Sequence, residues 1–296
     1  MQKIKIPALG FAISPIGIGC MSLKGNIKED QKIIDAAISG GIDFFDTADL
    51  YQNGLNEEIV GATLKNRRKD VVLATKVGNQ MREDGSGWDW NPKKEYILKA
   101  VEESLERLQT DYIDIYQLHG GTLEDPWDET LEAFEILKTQ GKIRAFGISS
   151  IRPNVIRKVL GMSKPATIMM QYSPLDRRPE EEVFSLIAES DTRVLVRGAF
   201  AKGLLIDKSA QAFLDYSAAE VKEIRDLILD SSLLPEAFLI RFGFMQPAVG
   251  SLIIGASSVQ QVEKMIFAYQ QAEEIPDDRI TEIAAKIPLN RYTQHR

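Results

Sequence analysis

Cysteine is almost missing from this chain: there is one, Cys20, in 296 residues. No intrachain disulfide can form, which suits a reducing compartment. Histidine is nearly as scarce, with only His119 and His295. Together with the lone cysteine they lack the spacing of a metal site, and no metal is expected. No stretch approaches the roughly 18 apolar residues that a membrane span needs. The opening MQKIKIPALGFAISPIGIGC is broken by Pro7 and Pro15 and has no sustained apolar centre, so it does not read as a signal peptide. A cytoplasmic protein is the expectation. No G-x-G-x-x-G opens a helix after an early strand, and neither a P-loop nor a G-x-S-x-G occurs. A net charge of −7 and a pI of about 5.2 argue against nucleic acid or an anionic membrane as partner. They leave room for a small anionic ligand in one local basic pocket.

What is present is ordinary globular composition, 44% hydrophobic and 27% charged, arranged as an alternation. Short apolar runs fall at 14–20, 42–48, 71–77, 113–119, 143–149, 167–173, 193–199 and 250–256. Most are apolar at nearly every position, as in parallel strands covered on both faces. Longer amphipathic segments separate them, at 29–41, 56–66, 93–109, 128–142, 152–162, 180–190, 217–229 and 258–271. Eight strand–helix units without a linker predict an α/β chain, a (β/α)₈ TIM barrel forming one domain over residues 1–296. A doubly wound sheet is the competing architecture, disfavoured by the missing glycine fingerprint. The first twelve residues are expected to form a small hairpin. Residues 235–248 predict an extra helix, and 277–287 a last one outside the barrel.

In such a barrel the active site is built from loops at the C-terminal ends of the strands. Those ends carry Asp46, Lys76 and His119, with Tyr51 in the loop after the second strand. Each has a plain alternative: a capping carboxylate, a lysine reaching solvent, a structural histidine, a loop aromatic. Together they make chemical sense. A buried charge must be paired, and Asp46 with Lys76 supplies the pair. A lysine ammonium beside a phenol favours the phenolate and eases proton donation near neutral pH. An imidazole can donate a hydrogen bond to a carbonyl oxygen and orient it. The set suits reduction of a carbonyl by a hydride donor. A second reading makes Lys76 the amine of a Schiff-base aldolase, against which Asp46 argues by keeping it protonated. The long segment 78–92 holds Trp88 and Trp90, which either wall a substrate pocket or anchor the loop.

At these residues the chain resembles the aldo-keto reductase family. FFDTADLY, LATKVG, DYIDIYQLHG, GKIRAFGISS and IIGASSVQQVEKM are similar to its successive signature segments, in order, from about Pro15 to about Gln271. The nearest likeness is to the bacterial general oxidoreductases that also include potassium-channel β-subunit-like proteins. The resemblance implies a barrel that binds NADP(H) without a Rossmann motif, and a small carbonyl substrate. It makes Tyr51 the proton donor, Lys76 and Asp46 its supports, and His119 the group that orients the carbonyl. It places Ser149, with Ser150 beside it, and Gln171 on the nicotinamide carboxamide, and Tyr172 under the nicotinamide ring. Gly19 and Met21 fall where backbone approaches the cofactor. Arg197, Gly198 and Leu204 belong to a loop over the pyrophosphate, and Gly255, Ser257 and Gln261 to the phosphate and adenine segment. Two departures stand out. Ser257 occupies a position where many relatives carry an arginine for the 2′-phosphate, and Lys264-Met265 replaces a glutamate–asparagine pair that holds adenine. NADPH is expected, with NADH the alternative. A non-catalytic cofactor sensor or partner subunit is the remaining reading that the resemblance permits.

Overall fold

In the computed structural model, which describes residues 1–296, an antiparallel pair, β1 (Ile4–Ile6) and β2 (Phe11–Ile13), precedes a closed barrel. The barrel strands are β3 (Ile16–Gly19), β4 (Phe44–Asp46) and β5 (Val72–Val77), then β8 (Ile113–Leu118), β9 (Ile143–Ser149), β10 (Thr167–Gln171), β11 (Arg193–Arg197) and β12 (Val249–Ile254). All pair in parallel, and β12 returns to β3 to close the ring. Between β5 and β8 a second antiparallel pair, β6 (Asn79–Met81) with β7 (Trp88–Trp90), rises from the barrel.

The helices are α1 (Ile27–Ser39), α2 (Leu55–Leu64), α3 (Lys94–Leu108), α4 (Trp127–Thr139) and α5 (Pro153–Met162), followed by α6 (Val183–Ala188), α7 (Ala218–Asp230), α8 (Pro235–Phe244), α9 (Val259–Glu273) and α10 (Asp277–Ala284). Their starts carry local signals. Asn26 accepts from the amide of Glu29 at the head of α1, and Ser217 with Glu220 forms a capping box on α7. The extra helix and the last one appear as α8 and α10, each ending a few residues before the predicted limit. Helix α6 is the poorest match. Pro179 lies in a separate 3-10 turn, Arg178–Glu180, and only Val183–Ala188 is α-helical.

The two-residue period of a strand divides the barrel into an inside and an outside. Ile18, Phe45, Leu73, Val77, Tyr116, Leu118, Met170, Val196 and Leu252 face the helices in the larger apolar cluster. Phe44, Val72, Ala74, Ile115, Met169, Leu195 and Ile253 form a second cluster inside the barrel. Ile6 and Ile13 of the N-terminal hairpin join this inner cluster. They close the end where the strands begin, so the predicted hairpin serves as the floor. Each of the larger side chains among these contributes roughly 1.5–3 kcal/mol by leaving water. The apolar filling makes the barrel a packed core rather than a channel. It also leaves only the next inward layer, at the C-terminal ends, open to polar residues.

Candidate active site

Two residues beyond five of the inner apolar positions lies a polar one. Phe44 leads to Asp46, Ala74 to Lys76, Ile115 to Gln117, Met169 to Gln171 and Leu195 to Arg197. Strand pairing sets Asp46 against Ala74, and Lys76 against Gln117. Neighbouring strands thus deliver their polar ends to one place.

Lys76 Nζ donates to Asp46 Oδ2 at 2.7 Å and to the Thr47 carbonyl at 2.6 Å. It also lies 3.5 Å from Tyr51 Oη. Gln117 Nε2 donates to the other oxygen of Asp46 at 3.4 Å. Both members of the ion pair are buried. Burial pulls the Lys76 ammonium down, but Asp46 and Tyr51 outweigh it and hold the group above its usual value. Burial pushes the Asp46 carboxyl up, while Lys76 and Gln117 oppose the shift. With three acceptors around the ammonium and two donors on the carboxylate, the pair is charged. The His119 ring meets the Tyr51 ring edge to face, with centroids 6.1 Å apart. Burial, then the charges of Lys76 and Arg197, push His119 down to about 3. It is a neutral imidazole, and its Nδ1 is buried without a partner.

A cavity of about 390 Å³ opens beside His119, lined by Trp88, Trp90, Ser149, Ser150 and Arg197 among others. Trp90 is fixed: Nε1 donates to Asp125 at 3.0 Å, and the ring lies on Gly78 and Gly120. A Cβ at Gly78 would come within 2.6 Å of that ring, and its φ of +124° also favours glycine. Trp88 is 46% exposed at the rim. The two tryptophans belong to the β6–β7 hairpin, where the sequence had suggested only a long loop. Arg82 and Asp89 pair across it at 2.6 Å. The isolated short strands are too brief to show a period, which is why the pattern did not reveal them.

The residues expected to hold a cofactor divide into three groups. Ser149 and Gln171 end adjacent strands on the inward face, and Arg197 Nη1 donates to Gln171 Oε1 at 3.2 Å. Arg197 therefore lines the cavity beside His119 rather than the covering loop with Gly198 and Leu204. At the barrel rim Gly19 ends β3 beside Gly255, and a Cβ on Gly255 would stand 2.4 Å from Ser22 Oγ. Met21, next to this approach, is 63% exposed. At the head of α9, Ser258 Oγ accepts from the Gln261 amide, and Gln261 Oε1 accepts from the Ser257 amide at 2.7 Å. These groups fit a nicotinamide dinucleotide. There are inward amide and hydroxyl groups beside Lys76 and His119, a close backbone approach, and a helix N-terminus able to take phosphate.

Tyr172 does not fit its expected role. It follows Gln171 by one residue and so faces outward. It is 1% exposed, stacks on Phe242 at 5.2 Å, meets Phe184 edge-on, and donates to Glu180 Oε1 at 2.8 Å. No face of its ring is free for a nicotinamide. Lys264 is likewise occupied, paired with buried Glu236 at 2.5 Å. Sequence reasoning passed over Gln117, although its position two residues before His119 on one strand marks it as inward-facing.

This barrel, with a buried acid–lysine pair under a tyrosine and a histidine, defines an NAD(P)H-dependent oxidoreductase. The Aldo/keto reductase family profile matches residues 15–288, and the chain belongs to that family. It is 44% identical to oxidoreductase YqkF of Bacillus subtilis, over 100% of both chains. It is 34% identical to an NADH-specific methylglyoxal reductase of Escherichia coli, over 69% of each. The holo form of aldo-keto reductase AKR11C1 from Bacillus halodurans superposes with a TM-score of 0.95 at 45% identity, covering 100% of this chain and 99% of that one. No helix is long and apolar enough to cross a membrane.

Proposed function

We propose that the chain reduces aldehydes or ketones to alcohols with Tyr51 as the proton donor. A bound dihydronicotinamide supplies the hydride. The substrate oxygen lies between Tyr51 and His119. Neutral His119 offers a single N–H, which orients the carbonyl and stabilises charge gathering on its oxygen. Tyr51 Oη passes its proton to that oxygen, and the Lys76 ammonium stabilises the phenolate left behind. Asp46, the Thr47 carbonyl and Gln117 keep that ammonium charged and aimed. One observation carries this reading: Lys76 Nζ stands 2.7 Å from Asp46 and 3.5 Å from Tyr51, whose ring rests against His119. The same geometry disfavours Lys76 as an amine nucleophile, since its charge is locked in.

In this reading Ser149 and Gln171 bond the carboxamide, and Gly19, Gly255, Ser257, Gln261 and the amides heading α9 take the phosphates. The chain takes NADPH with modest discrimination against NADH. The support for NADPH is hydroxyl and amide groups alone, because Lys264 is held by Glu236. Trp90 and Trp88 wall the substrate side, Trp90 fixed and Trp88 at the rim.

The test is Tyr51→Phe, assayed by loss of NADPH absorbance with a panel of carbonyls and by cofactor titration. Turnover is expected to fall about 10²–10⁴-fold, the usual worth of general acid catalysis, with cofactor affinity unchanged. Turnover within threefold of wild type refutes the assignment.

A further inference from the structure

Behind the catalytic loop lies a polar cavity that carbonyl reduction does not use. It measures about 280 Å³ and is lined by Asp49, Asn53, Gln80, Tyr96, Glu103 and Arg107 among others. Asp49 stands on the chain between Asp46 and Tyr51, and its amide donates to the Lys76 carbonyl at 3.4 Å. Its side chain is buried, 8% exposed, and Oδ1 has no hydrogen-bond partner. A buried carboxylate left in that state is costly, whereas a neutral acid is far less so.

The groups around Asp49 come from every packed element. On α2, Glu57 is fully buried, accepting from Thr75 Oγ1 at 2.5 Å and pairing with Arg107 at 2.7 Å. Helix α3 presents Arg107, Tyr96 and Glu103, while β5 presents Lys76 and β8 presents Tyr116. Arg107 is engaged by Glu57 and by Ser104 Oγ, so it does not bond Asp49. It also lies flat on Gly54, where a Cβ would meet its Cδ at 2.9 Å. Between Tyr51 and that anchor, Gln52 and Asn53 both hold left-handed φ values, +53° and +55°. Side-chain-bearing residues keep such conformations only where their surroundings impose them.

We propose that Asp49 is a positioning residue for Tyr51: as a neutral acid it completes the surface on which residues 48–54 rest, and a second negative charge beside Glu57 loosens that loop. The consequence for catalysis rests on Tyr51 being the proton donor. Burial first, then the neighbouring Glu57 charge, push the Asp49 carboxyl up to about 8, against the opposing pull of the Leu50 backbone amide, then of Arg107 and Lys76. The acid is therefore neutral below that pH and gains charge above it. The loop is ordered on the acid side and loosens as pH rises through this range.

Hydrogen exchange of the segment 47–55, expressed as protection relative to the intrinsic rate at each pH, reads the loop without requiring turnover. In the wild-type protein, protection is expected to fall at least fivefold between pH 7 and pH 9.5. Asp49→Asn carries a neutral side chain at every pH, so its protection should agree within twofold at both values. Glu57→Gln removes the like charge and frees Arg107, both of which favour the Asp49 carboxylate, so its transition should move to lower pH. Constant wild-type protection overturns the proposal. So does an Asp49→Asn loop that loosens as the wild type does, or a Glu57→Gln midpoint that stays in place. Kinetic profiles over the same range should show kcat falling less on the alkaline side in Asp49→Asn, with KM little altered. A loop that responds as described in a protein whose Tyr51→Phe variant turns over normally would instead refute the role of Tyr51.

Discussion

Replacing Lys76 with methionine separates stability from catalysis in a way that the buried pair makes calculable. Methionine has a similar shape and fills the space, so the loss is mainly electrostatic. Asp46 would keep only the 3.4 Å contact from Gln117. Removing one partner of a buried pair typically costs about 3–5 kcal/mol, because the other charge stays buried alone. Domains are stable by only about 5–15 kcal/mol. At about 2–4 °C per kcal/mol for a large domain, the variant should melt about 6–20 °C below wild type. The deficit should depend on pH. An unpaired Asp46 prefers its neutral form when folded, so its folded pKa lies above the unfolded one, and stability falls as pH rises. The melting deficit at pH 8 should thus exceed that at pH 5. Catalysis suffers separately. An ammonium 3.5 Å from a phenolate is worth about 5 kcal/mol at an effective dielectric of about 20. That is a ceiling of about 5 × 10³-fold in rate, and a loss of about 10²–10³ in kcat is expected. The decisive comparison is the double variant Asp46→Leu with Lys76→Met. Apolar replacement of a buried pair is often neutral or stabilising, so the double variant should regain most of the melting temperature while staying inactive. Calorimetry at both pH values, with the reductase assay, measures all of this. A single variant that melts within 2 °C of wild type, or a double variant no more stable than the single, would refute a buried, charged pair.

Two further outcomes follow from the cofactor and histidine geometry. Ser257→Arg should tighten NADPH binding about tenfold or more while leaving NADH within twofold, since a guanidinium grips a phosphate in two places; equal effects on both cofactors, measured by fluorescence titration, would count against this segment as the 2′-phosphate site. His119, pushed down to about 3, is neutral in the folded protein throughout the range in which an ordinary histidine titrates. The unfolded chain takes up that proton as pH falls below about 6.5, so the His119 contribution is complete above that value and declines towards pH 3. An NMR titration should find no His119 transition between pH 5 and 8, and a midpoint near 6.5 would contradict the burial described.

Much of the architecture was legible because it is written in local pattern. Eight nearly continuous apolar runs alternating with amphipathic segments specify parallel strands covered on both faces, and their number, with no glycine fingerprint after an early strand, favours a closed barrel over a doubly wound sheet. Strand ends that switch from apolar to charged mark the C-terminal mouth, which is how Asp46, Lys76 and His119 could be singled out. Tyr51, a loop residue that periodicity alone would not select, stood out as a phenol five residues beyond Asp46 that a lysine could activate, and motif order then matched it to a proton donor. What the pattern could not express was direction. Gln171 and Tyr172 are consecutive and both polar enough for a site. Only the register of β10 sends one inward and the other against Phe184 and Phe242. The β6–β7 pair was hidden because three-residue strands have no measurable period.

The chain order of apolar and polar residues determined that a (β/α)₈ barrel would form and which strand ends would carry charge, because burial and two-residue alternation act along the chain. The tertiary structure alone decided the partners. It assigned Gln117 to Asp46, Lys264 to Glu236, and Arg107 to Glu57 beneath the loop of Tyr51. These choices join residues separated by 28 to 71 positions, and a pairing over such distances depends on how helices and strands pack, which no local stretch of residues encodes.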